Sequence, residues 1–363
     1  MRRSILIAVA LLTLLAPTAG ARIAYQSAKN VPYTGQSVLY AANDNGTGAV
    51  MIGAMDGYLP RISPDGAKVA WLRENAARGA ALAMTVVPAT EEEATPDVAL
   101  GLRCVDMAWS PDSTRIACVT AGRAPSAQVD SARGLTIVDV ATKATTTLVA
   151  PSRGQVQGVA WSPDGLRVAF GWARFAKGDY APGRLELIGV DGGGRSVAAP
   201  VGAFPVWSAA HGIAYAVEKR LVCTGDTFAD LQPSYRMAIL DPATGASRVA
   251  TDWHLACALG LLPFGFLPDG RVVATLLDAA NQRYPVGIQS AIVDPATRKT
   301  TPIRFADGGQ PFGISADGTR LLIGMDFAEI GNPSLRSVDL RGRDARVIVR
   351  NAISASTAAT WVP

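Results

Sequence analysis

Five aspartates recur in one local setting: Asp65, Asp112, Asp164, Asp269 and Asp317, four of them followed directly by glycine. Carboxylates repeated in this way could gather round a cation, or each could accept the amide protons of its own turn. The neighbouring Pro, Ser and Gly favour turn capping. The chain has only two histidines, His211 in a hairpin turn and His254 in a loop, too few for a multi-histidine metal site. No His-Glu-x-x-His pattern is present, and Gly313-Ile314-Ser315-Ala316-Asp317 misses the nucleophile elbow. Asp191-Gly192-Gly193-Gly194 reads as a hairpin turn, not a phosphate loop. These patterns point to no catalytic constellation, no metal and no cofactor.

The aspartates belong to a strand–turn–strand unit, seen best in Val159-Ala160-Trp161-Ser162-Pro163-Asp164-Gly165-Leu166-Arg167-Val168-Ala169-Phe170. Pro fixes φ, Asp caps, and Gly is free to take positive φ. Corresponding positions fall at Pro64, Pro111, Pro163, Ala209, Pro268, Ala316 and Pro363, at intervals of 47, 52, 46, 59, 48 and 47 residues. Each interval divides into four short antiparallel strands, a to d. A lone sheet of that size cannot bury both faces, whereas a ring of stacked blades can. The expected fold is all-β, a seven-bladed propeller with six blades as the alternative. The closing strand is expected at residues 358–363, beside the strand that starts near Val38. Tyr58-Leu59 reads as the last strand of the first unit, and residues 22–36 as a short lead-in to a single propeller domain over 37–363.

The repeated Trp-Ser-Pro-Asp-Gly followed by an apolar strand resembles the TolB-type, WD40-like (PD40) propeller repeat over nearly all of residues 37–363. The match is close at 109–118 and 161–170, and degraded at 207–215 and 314–323. The resemblance implies a propeller that binds envelope proteins. With about fifteen residues between the expected cleavage site and the first strand, TolB's extra N-terminal domain is not expected here.

In such a ring the b-to-c and d-to-a loops share one rim. Arg103, Asp106, Gln155, Gln157, His254, Asp307 and Gln310 are expected round its central mouth, and Trp253 in a long loop beside it. Trp109, Trp161 and Trp207 recur at one strand position and read as blade-to-blade packing. Cys223, in a long connection over 220–235, and Cys257 share this rim and are expected to form a disulfide. Cys104 and Cys118 fall three positions out of register in one hairpin, which favours buried thiols.

Met1-Arg2-Arg3, the apolar run from Ile5 and Ala19-Gly20-Ala21 read as a secretory signal peptide over residues 1–21. The expected location is periplasmic or secreted, with no stable membrane insertion after cleavage. With 49% hydrophobic and 18% charged residues the chain can build a large core. Its net charge of +4 is spread evenly and speaks against nucleic-acid binding. The expected function is a non-enzymatic, monomeric scaffold for an envelope or extracellular protein or peptide. The alternative is a lyase or hydrolase with a sparse polar site at the mouth.

Overall fold

A computed structural model describes residues 23–27, 38–53, 57–75, 81–88, 98–121, 133–151, 154–176, 179–180, 183–224, 229–253, 260–278, 287–303, 309–324 and 334–357. Its turns follow the local chemistry of the repeat. Ser162 Oγ donates to Asp164 Oδ1 at 2.5 Å, Leu166 N donates to the same oxygen at 2.9 Å, and Gly165 takes φ of 69°. The same Ser–Asp bond forms at Ser63–Asp65, Ser110–Asp112 and Ser315–Asp317. Asp269 instead accepts from the amide and guanidinium of Arg271. All five carboxylates therefore cap their own turns.

The Ser162 hydroxyl above all, then the Leu166 amide, holds the Asp164 carboxyl below the usual carboxylate range; Ser315 leads in the same way at Asp317. A carboxyl lowered by folding stabilises above its unfolded pKa, and that stability disappears as pH falls through the folded value. Asp164→Ala should thus cost about 1 kcal/mol at neutral pH, the worth of the lost turn bonds. Urea unfolding at neutral and strongly acidic pH checks this: the gap from the parent protein should close in acid. A gap that persists there would mean that the ionised carboxylate is not its source.

The strands pair as follows. The first sheet contains β1 (Ile23–Ser27), β2 (Val38–Ala42), β3 (Val50–Gly53) and the last strand, β28 (Ala352–Thr357). The second runs without a break through β4 (Gly57–Ile62), β5 (Lys68–Asn75), β6 (Ala81–Pro88), β7 (Val98–Trp109), β8 (Arg115–Ala121), β9 (Arg133–Asp139) and β10 (Thr145–Val149). The third contains β11 (Gly154–Trp161), β12 (Arg167–Ala176), β13 (Asp179–Tyr180), β14 (Arg184–Gly189) and β15 (Ser196–Ala199). The fourth joins β16 (Ala203–Ser208), β17 (Gly212–Thr224), β18 (Ala229–Leu240) and β19 (Ser247–Val249) to β20 (Gly260–Phe266), β21 (Val272–Asp278), β22 (Gly287–Asp294) and β23 (Lys299–Ile303). The last is β24 (Gln310–Ile314), β25 (Arg320–Gly324), β26 (Ser334–Asp339) and β27 (Arg346–Arg350).

The architecture is an all-β propeller, but separate blades in the number expected, seven or six, are not what hydrogen bonding delineates. The described strands form five sheets of four, seven, five, eight and four strands, and only two of these are independent four-stranded units. Two continuities cause the difference. The long β7 pairs with β6 through Val98, Ala99 and Arg103, and with β8 from Cys104 onward, so two repeats share one strand. Tyr235 of β18 also pairs in parallel with Gly260 of β20, where Gly260 takes φ of 90° and a Cβ would lie 2.2 Å from the Tyr235 carbonyl oxygen.

Ring closure also differs from expectation. Residues 358–363 lie outside the described residues, and the closing strand is β28. It pairs with β1, which lies between β28 and β2. The stretch taken as a lead-in therefore supplies a strand, with Ile23 and Ala24 fully buried. Residues 58–59 belong to β4, which pairs with β5 and opens the next unit instead of ending the first.

Neighbouring repeats bury their faces against each other. Val119, Leu135 and Ile137 pack on Trp161, Val168 and Phe170 of the following repeat. Burying Phe170 completely contributes roughly 1.5–3 kcal/mol. Trp109 Nε1 donates to the Arg61 carbonyl at 2.8 Å, and Trp161 Nε1 to the Ala108 carbonyl at 3.0 Å, each reaching the inner strand of the preceding repeat. Arg115 lies over the Trp161 ring at 5.1 Å, and Arg167 over Trp207 at 5.3 Å.

The inner strands share a β-bulge that changes the cysteine pairing. Register shifts between Tyr58 and Arg61, Cys104 and Asp106, Gln157 and Val159, Ala203 and Val206, Pro263 and Gly265, and Pro311 and Gly313. A bulge inserts an unpaired residue and bends the strand. In β7 it sets Cys104 opposite Thr120, two residues from Cys118 on β8. Residues two apart share a face, so the cysteines become diagonal neighbours. They form a disulfide with Cα atoms 5.6 Å apart, not the expected buried thiols.

Candidate functional site at the mouth of the ring

Antiparallel order puts the a–b and c–d turns at one end of the ring. The inner strands begin at the other end, around the mouth. They touch in chain order, β7 with β11, β11 with β16 and β16 with β20, and β28 contacts both β24 and β4.

Asp106 follows the bulge of β7. Its Oδ1 accepts the Met107 amide at 2.9 Å. Burial pushes its carboxyl above the usual range, and Arg61, the Met107 amide and Arg133 offset this only in part. Asp106 keeps part of its surface open even though protein surrounds it on most sides. Arg61 comes from the inner strand of the preceding repeat and Arg133 from the start of β9.

Gln157 precedes the bulge at Gly158, which has φ of 69°. Gln157 is 6% exposed and its Oε1 has no hydrogen-bond partner. Gly183 faces this oxygen so closely that a Cβ there would lie 2.6 Å away. Gln155 and Gln310 are half-buried in their inner strands, and Arg103 is exposed. No hydrogen bond joins Asp106, Gln157 and Gln310 to one another. Asp106, Gln155, Gln157 and Gln310 thus lie on the inner strands β7, β11 and β24. His254 and Asp307 lie outside the described residues.

Trp253 is half-buried. The Arg236 guanidinium lies 4.6 Å from its ring centre and the Lys219 ammonium 5.7 Å away. Tyr235, buried on the same strand as Arg236, meets Phe204 edge-on, with ring centres 6.0 Å apart. Most of the connection expected over 220–235 is strand: β17 and β18 stay paired out to Thr224 and Ala229, and Cys223 stands opposite Asp230. The expected Cys223–Cys257 bridge falls outside the described residues.

Sequence reasoning missed Thr120 and Arg133. Thr120 Oγ1, Arg133 Nε and Arg236 Nε are buried atoms without a hydrogen-bond partner, like Gln157 Oε1. All four residues lie toward the mouth in three successive repeats. A buried polar group left unpaired costs about 1–3 kcal/mol, so these four atoms mark costly positions in the fold near the rim. Among the described residues, no three His, Cys, Asp or Glu side chains gather as metal ligands.

No protein-family model matches the sequence, and no curated protein does. Solved structures do match in fold. TolB from Acinetobacter baumannii is 13% identical, with a TM-score of 0.51, and the match covers 81% of this chain and 66% of that one. The chain therefore spans just under two thirds of TolB's length. The β-propeller domain of the Trilobed protease from Pyrococcus furiosus is 15% identical with a TM-score of 0.57, covering 92% of this chain and 96% of that one. The oligogalacturonate lyase from Vibrio parahaemolyticus is 13% identical with a TM-score of 0.53, covering 91% and 86%. At these identities the likeness shows the propeller fold, which hosts binding proteins and enzymes alike.

Proposed function

We propose that this protein is an exported propeller that binds an envelope or extracellular protein or peptide at the mouth rim. The observation that carries this reading is the cationic and aromatic cluster on the rim, where the Arg236 guanidinium and the Lys219 ammonium lie 4.6 and 5.7 Å from the Trp253 ring centre. A polypeptide offers carbonyl and carboxylate acceptors to these cations and apolar side chains to the half-buried Trp253 ring. Phe204, half-buried like Trp253, adds aromatic surface of the kind enriched at interfaces. The Cys104–Cys118 disulfide suits an oxidising compartment, in accord with the proposed leader at residues 1–21.

Affinity capture from the cell envelope and medium tests the proposal. The parent protein should retain one polypeptide in stoichiometric amount. Arg236→Ala combined with Trp253→Ala should weaken its retention at least about tenfold, a loss of about 1.4 kcal/mol. The absence of any stoichiometric partner would overturn the reading. The alternative of a lyase or hydrolase is favoured by one observation, the raised Asp106 carboxyl between Arg61 and Arg133. Asp106→Asn separates the two: it should abolish turnover in an enzyme and leave partner capture by a scaffold intact.

A further inference from the structure

The end of the ring opposite the mouth holds a cleft of about 490 Å³. That lies within the roughly 300–1,000 Å³ range of small-ligand sites. Its walls are the a–b turn Trp207–Gly212 and the c–d hairpin from Ile239 to Arg248. This is the repeat in which the turn motif is most altered, to Trp207-Ser208-Ala209-Ala210-His211-Gly212. In four other turns the serine hydroxyl donates to an aspartate two residues on. Here that position is Ala210. Two methyl groups stand where a proline ring and a carboxylate stand at Pro163-Asp164, and Ser208 faces the cleft without a capping carboxylate.

His211 supplies the contact to the next repeat. Its ring stacks on Phe266 with centres 5.6 Å apart, and Nε2 lies 3.2 Å from the Pro268 carbonyl oxygen. The turn is thus held in place while the space in front of it stays open. Opposite charges line that space. Asp241 is exposed and accepts the Ala243 amide and the Thr244 hydroxyl, both at 2.8 Å. Arg248 is exposed too, stands opposite Ile239 across the hairpin, and donates Nη1 to the Pro295 carbonyl at 2.8 Å. No ion pair joins Asp241 to Arg248, and both residues line the cleft. Trp207 and the small residues Ala209, Ala210, Ala243 and Ala246 line it as well.

We propose that this cleft binds a small zwitterionic peptide of about dipeptide size, with its ammonium at Asp241, its carboxylate at Arg248 and an apolar side chain against Trp207. The site is separate from the mouth rim and does not depend on the binding role proposed there.

Saturation-transfer NMR and calorimetry with the dipeptide Ala-Phe, on the full folded protein, provide the test. Saturable binding is expected at or below about millimolar concentration. N-acetylation or C-amidation of the dipeptide should each weaken it at least about tenfold, the worth of one charged contact. Ala246→Leu extends an exposed wall residue into the cleft and should abolish binding, while leaving melting and mouth-rim capture unchanged. Arg248→Gln should remove the preference for a free carboxylate. Four results would each overturn the proposal: no saturable binding, equal binding of the blocked peptides, binding of a neutral disaccharide in place of the dipeptide, or unchanged binding by Ala246→Leu.

Discussion

Ala24→Glu should destabilise the protein by on the order of 4 kcal/mol, because it places an unpaired charge in a fully enclosed strand. Ala24 is 0% exposed and lies on β1, opposite Ala41 on one side and Ser356 on the other. Around it Leu39, Ala41, Ile62, Val69 and Trp71 form one continuous core. A glutamate there has neither space nor a cation. The cost should exceed that of an ordinary surface change because β1 alone links β28 to β2 in the sheet that joins the two ends of the described chain. Urea unfolding should show a large loss of midpoint. Glu substituted at exposed Met51, on β3 of the same sheet, should change it by no more than about 0.5 kcal/mol. An unchanged midpoint for Ala24→Glu would refute closure through β1.

Replacing Cys104 and Cys118 together by alanine should lower the unfolding free energy by about 3 kcal/mol, the chain-entropy value for a loop of this size. The two residues are 14 apart in sequence, and both are 0% exposed. The bridge ties the inner strand to its neighbour beside Asp106, so its loss should also loosen the mouth. Amide exchange should rise around residues 103–107 and 117–120 more than in the turns at the other end. Burial makes a second result expected: a thiol reagent should label neither cysteine in the native, non-reduced protein, and both should label only after unfolding with a reductant. Labelling of either thiol in the native protein would show that the bridge is absent.

The two results probe features of different legibility. Residues 23–27, read from the sequence as part of a lead-in, form the strand β1. Its place between β28 and β2 was not legible, because pairing partners more than 300 residues apart leave no local mark. The cysteine pairing turned on one residue of register. A plain hairpin count puts Cys104 opposite Ala121, and the bulge puts it opposite Thr120. The unpaired residue differs from repeat to repeat, being Val105 in β7 and Gly158 in β11, so no residue type announces it.

The candidate site divides in the same way. Asp106 and Gln157 were legible as polar residues on inner strands. Thr120 and Arg133 were not, since each stands out only by a buried atom without a partner, a property of the assembled surroundings.

The sequence by itself determined the all-β repeat, the turns and the role of their aspartates. Those depend on contacts within about five residues, where Pro, Asp and Gly act through their own backbone geometry. Only the tertiary structure decided how repeats merge into five sheets, which strands close the ring, which cysteines bond and where a cleft opens beside the altered turn. Those depend on packing between distant repeats, where one bulge shifts a register and two alanines leave space that no pattern of types and spacings records.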